Sequence, residues 1–77
     1  MARKHYYVSP QGSQWKVTLD GTVVGYHDTQ TKAARAAVDL AHIDGRNGHD
    51  AQVLVQRPNG EFRTEWTYGH DPYPPAG

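Results

Sequence analysis

The stretch that decides the fold is "TVVGYHDTQTKAARAAVDLAHIDG", Thr22 to Gly45, because the period of its apolar residues changes in the middle. Thr22 to His27 is β-branched and aromatic, as a strand requires, and its Gly25 suggests a bulge or a close backbone approach. From Asp28 onward the period becomes 3.6. Asp28 and Thr29 are capping candidates, and Gly45 is the residue type that ends helices. On a helical wheel Ala33, Ala34, Ala36, Ala37, Val38, Leu40, Ala41 and Ile43 fill one wide arc. Thr31, Lys32, Arg35, Asp39 and His42 fill the other. The apolar arc is mostly Ala, which forms helices well and lets a helix lie close on a sheet.

Working outward, "KHYYVS" (Lys4–Ser9) alternates, with Tyr6 and Val8 on one side and His5 and Tyr7 on the other. "PQGS" (Pro10–Ser13) reads as a turn. In "QWKVTL" (Gln14–Leu19), Trp15, Val17 and Leu19 form the core side. Asp20-Gly21 is a favoured hairpin turn. After a loop at 45–50, "AQVLVQR" (Ala51–Arg57) is a strand and "PNG" a tight turn. "EFRTEWTY" then alternates strictly, which sends Phe62, Thr64, Trp66 and Tyr68 inward and Glu61, Arg63, Glu65 and Thr67 outward. The order β-β-β-α-β-β predicts a two-layer α+β domain, a mostly antiparallel sheet with one helix packed on one face. The strand order stays open, because the hairpin after the helix fits either edge. There is no repeat and no linker, so residues 1–77 form one domain. Its ordered core is expected over about 4–72, with 73–77 loose.

Composition bounds the function. A 77-residue chain buries little core, and with no Cys it has neither a disulfide nor a thiolate metal site. Mean hydropathy is −0.83, yet the apolar residues fall in periodic runs, which argues against disorder. Eight basic residues balance eight acidic ones, so the net charge gives no argument for nucleic acid. The acids begin only at Asp20, however. "MARKHYYV" lacks the apolar run of a signal peptide, and no segment approaches a membrane span. The expectation is a cytoplasmic protein without membrane contact.

Catalytic and metal signals are thin. His5, His27, His42, His49 and His70 show no i,i+4 pair on the helix, and His42 falls on the polar arc, where solvation explains it. "DGRNGHD" lacks the spacing and closing Glu of a calcium loop. Ser9 and Ser13 only flank a turn. No enzyme activity, no cofactor and no metal are expected.

"HYYVSPQGSQWKV", the Thr-opened Ala-rich helix and "VQRPNGEFRTEWTYGHDPYPP" together resemble the small bacterial domain-of-unknown-function family 2188. The features that carry the resemblance fall on His5, Trp15, Thr29, Asn59-Gly60 and Thr67-Tyr68-Gly69-His70-Asp71-Pro72. Gln14 stands before Trp15 where the family shows Gly. The resemblance covers nearly the whole chain and implies this fold and compartment. It implies no activity.

The sheet face away from the helix is the candidate site. Strict alternation places Tyr7, Lys16, Thr18, Gln52, Leu54, Gln56 and Arg63 on it. His5 and Glu61 flank this face, and Arg3, Lys4 and Arg57 lie at its rim. A binding module acting on protein, or on a second copy of itself, is the first reading. Nucleic acid held by cations and stacked rings is the alternative. In the tail, Trp66 to Pro72 should fold back on the sheet or the helix end.

Overall fold

A computed structural model describes residues 3–75. The elements are β1 (Lys4–Gln11), β2 (Gln14–Leu19), β3 (Thr22–His27), α1 (Gln30–Arg46), β4 (Ala51–Gln56) and β5 (Phe62–Thr67). They form one five-stranded sheet in the order β3-β2-β1-β4-β5, with the helix packed on one face. Three of the four strand pairings are antiparallel, and β1 with β4 is parallel, in the register Tyr6 to Val53 and Val8 to Val55. β1 and β3 run in the same direction, so both offer β4 a parallel edge. Beside β1, the apolar rows of β1 and β4 meet under the alanines of α1. Beside β3, the helix would cover Thr22 and Gly25 instead.

The core follows from side-chain size. Val8, Val17 and Val53 are fully buried, and Ala33, Ala37 and Ala41 face them from the helix without exposure. Each buried valine contributes about 1.5–3 kcal/mol. Tyr6 and Trp66 are the large buried side chains of this layer, one on each side of Val53 in the same cross-strand row. The Tyr6 hydroxyl donates a short hydrogen bond to the Asp44 carboxylate, whose other oxygen lies 3.6 Å from the Lys4 ammonium. Burial first, and then this bond to a carboxylate, pushes the Tyr6 hydroxyl pKa well above its ordinary value.

Several boundaries differ from those the sequence predicts. β1 continues through Pro10 and Gln11, opposite Trp15 and Gln14, and the turn shrinks to Gly12-Ser13. Pro10 is tolerated because β4 no longer runs alongside β1 there, so the missing N–H costs no bond on that side. Of the two capping candidates, Thr29 caps α1, its hydroxyl oxygen accepting from the Lys32 amide at 3.1 Å. The helix does not stop at Gly45. It runs on to Arg46, and the Asn47 amide closes it on the Ile43 and Asp44 carbonyls. Gly45 serves a different purpose, since a Cβ there would fall inside the Tyr68 ring. The buried stripe is also narrower than the apolar arc, because Leu40 and Ile43 remain exposed.

The chain after β5 turns back over the helix side. The Trp66 indole N–H donates to the Pro72 carbonyl at 2.9 Å, and the Asp71 carboxylate accepts from the Thr67 amide at 2.8 Å. Tyr73, within the segment expected to be loose, lies flat on His42. The ring centroids are 3.7 Å apart and the planes 5° apart, and the Tyr73 hydroxyl donates to Asp39 at 2.8 Å. His42 is therefore the seat of an aromatic ring rather than a simply solvated side chain. Ala76 and Gly77 lie outside the described residues.

Two predictions follow from these packing relations. Gly45→Ala would gain roughly 1 kcal/mol from helix propensity alone. Displacing the Tyr68 ring outweighs that gain, so a net loss of about 1–3 kcal/mol is expected in urea unfolding. Tyr6→Phe should cost about 1–2 kcal/mol at neutral pH by removing the bond to Asp44. Because the folded state raises the Tyr6 pKa, this contribution is present below about pH 10 and is lost as pH rises further. Unfolding curves of the parent should weaken above that pH, and the Phe variant should weaken less.

Candidate functional site

The sheet face opposite the helix is uncovered, and the strand registers define its membership. One row crosses all five strands through Val23, Thr18, Tyr7, Leu54 and Thr64. A second row holds Tyr26, Lys16 and Ser9 on one side and Gln56 and Phe62 on the other. A third holds His5, Gln52 and Thr67, in which the Gln52 amide donates to the Thr67 hydroxyl at 3.2 Å. None of these residues is acidic. The Lys16 ammonium donates to the Gln11 side-chain carbonyl at 3.1 Å, so no carboxylate neutralises it among the described residues. Elsewhere Lys32 and Arg35 each face a helix-side carboxylate, Asp28 at 3.3 Å and Asp39 at 3.7 Å. The charges are therefore unevenly distributed between the two faces even though they cancel over the whole chain.

Six of the seven residues that the sequence assigns to this face share it: Tyr7, Lys16, Thr18, Gln52, Leu54 and Gln56. Arg63 does not. It pairs with Val55, a buried residue of the helix side, and so points to that side. The cause is a β-bulge. Val53 pairs with Trp66 but Leu54 pairs with Thr64, which leaves Glu65 as an extra residue and reverses the phase of everything before it. Phe62, expected in the core, consequently opposes Gln56 on the open face. Its ring meets Tyr7 edge-on at a centroid distance of 5.1 Å and an angle of 82°. The strand does carry a weak signal of this. Strict alternation puts a polar residue, Thr64, at an inward position between Phe62 and Trp66, and the bulge removes that conflict.

A second bulge brings in residues that periodicity did not assign. Val17 pairs with Gly25 but Thr18 pairs with Val23, so Val24 is extra. Val23 and Tyr26 then lie on the same face, both exposed. At the rim, Arg3 and Arg57 are exposed, whereas Lys4 belongs to the Asp44 pair on the helix side. His5 lies 6.2 Å from Tyr7, ring to ring. The face thus offers Tyr7, Tyr26, Phe62, Leu54 and Val23 as apolar contacts around one ammonium group.

Among the described residues, no three His, Cys, Asp or Glu side chains come together as a metal site would need. Nor is any helix among them long and apolar enough to cross a membrane.

A family model described as an uncharacterized protein conserved in bacteria, domain-of-unknown-function family 2188, matches residues 6–68. No curated protein and no solved structure matches this chain.

The bulge makes a checkable statement about the face. Nuclear Overhauser cross-peaks should connect the Phe62 and Tyr7 rings, and none should connect Arg63 to Tyr7. The reverse pattern would restore strict alternation along β5.

Proposed function

The chain belongs to domain-of-unknown-function family 2188, an uncharacterised bacterial family, and we propose that it is a non-enzymatic binding module that docks a protein through its open sheet face. One observation carries this reading. Tyr7 and Phe62 interlock beside Leu54 on a face that no element covers and no carboxylate interrupts. Exposed aromatic rings set among neutral polar groups are enriched where proteins meet, and charged side chains are depleted at the centre of such contacts. Two surface grooves, of about 340 and 420 Å³, hold a single carboxylate between them, the exposed Glu65, and no His, Cys or Ser to work with it.

Nucleic acid remains a second reading because Lys16 is without a carboxylate partner among rings able to stack. One experiment separates the two. A photoreactive benzophenone side chain at position 62, irradiated in bacterial cells, should trap a protease-sensitive adduct. The same group at position 31, on the exposed side of the helix, should trap none. Thr18→Asp, which puts a carboxylate in the middle of the face, should abolish the adduct without changing the melting temperature. A nuclease-sensitive adduct, or equal trapping at both positions, would overturn the docking reading.

A further inference from the structure

The two edges of the sheet differ. The β5 edge carries Arg63 and Glu65, charged side chains of the kind that keep a strand from pairing with a stranger. The β3 edge, Thr22–His27, has no Asp, Glu, Lys or Arg, and Val23, Val24 and Tyr26 on it are exposed. His42 and Val38 face the β5 side, where Tyr73 and Trp66 lie. By helical spacing Leu40 and Ile43 lie on α1 away from His42 and Val38, and they are exposed as well. Three of the seven exposed large apolar side chains among the described residues sit on the six residues of the β3 edge.

We infer that this edge pairs with the β3 edge of a second copy, antiparallel about a two-fold axis, with Val23 opposite Tyr26 of the second copy. The β3 bulge fits the strand for that register. In a regular strand, residues three apart point to opposite faces. Here Val23 opposes Thr18 and Tyr26 opposes Lys16, two residues apart on β2, so Val23 and Tyr26 share a face and the direction of their main-chain groups. Thr22 and His27, opposite Leu19 and Trp15, match in the same way. A two-fold axis between Val24 and Gly25 sets Val23 against Tyr26 twice and Thr22 against His27 twice, like face to like face. Val24 then stands opposite Gly25 of the second copy, which has no side chain to obstruct it. The flanking carboxylates are kept apart, because Asp28 falls opposite Gly21 and Asp20 opposite Thr29. A self-complementary patch of this kind is what a two-fold dimer requires. The product is a continuous ten-stranded sheet with the two open faces side by side.

The dimer does not depend on the docking reading, since its contacts are on the β3 edge, at the opposite side of the sheet from Phe62. The test is sedimentation equilibrium of the full chain from about 10 µM to about 1 mM. The mass should rise from 8.6 kDa towards twice that value. Val24→Lys, which brings two ammonium groups together at the axis, should raise the dissociation constant about tenfold or more. Glu65→Lys on the other edge should leave it unchanged. In a sample mixed from labelled and unlabelled chains, cross-peaks between copies should join Val23 to Tyr26, a readout that holds even where a variant folds poorly. A mass of 8.6 kDa throughout, a dimer indifferent to Val24→Lys, or one equally weakened by Glu65→Lys would overturn the inference.

Discussion

The parallel pairing of β1 with β4 is the contact on which the rest of the structure depends. It joins a three-stranded meander and a later hairpin into one sheet, so that Tyr6 and Val8 lie beside Val53 and Val55. Only then do Ala33, Ala37 and Ala41 have a continuous apolar surface to cover. It also fixes the outside of the molecule, because placing β1 and β4 at the centre makes β3 and β5 the edges. With no disulfide to assist, a domain of this size relies on the one layer between sheet and helix, its valines and alanines together with Tyr6 and Trp66.

The helix lies close because its buried residues are small, and closeness has consequences beyond the core. Gly45 is helical rather than terminal, since the Tyr68 ring occupies the space a side chain would need. The Tyr68 amide in turn is held by the Ala51 carbonyl, which ties the start of β4 to the end of β5. Past Tyr68 the chain folds over Trp66 and lays Tyr73 on His42. The aromatic tail is thus built into the fold as far as Tyr73, a lid over the part of the sheet the helix does not reach.

Each outer strand carries one bulge, and together the two bulges decide the character of the exposed surface. On β5 the extra residue turns Phe62 outward to Tyr7 and sends Arg63 to the helix side. On β3 it puts Val23 and Tyr26 in step. The open face becomes more aromatic and less basic than uninterrupted alternation would make it. Contact with phosphates draws on several cations, and of the two that strict alternation places on this face, Lys16 and Arg63, only Lys16 is there.

The sequence alone determined the elements, because each rests on local chemistry. The change of period at Asp28, the Thr29 cap, the Asp20-Gly21 turn at positive φ and the alternation in β2 and β4 depend only on neighbouring residues. Most of the open face was legible for the same reason: Tyr7, Lys16, Thr18, Gln52, Leu54 and Gln56 lie on regular strands where parity is dependable. Three things waited for the tertiary structure. The strand order did so because β1 and β3 run the same way, and only the fit under the helix distinguishes them. The places of Arg63 and Phe62 did so because a bulge is a relation between two strands, and one extra residue reverses every side chain beyond it. The helix end and the seat of Tyr73 did so because Gly45 and His42 are explained by aromatic rings more than twenty positions away, which no local pattern records.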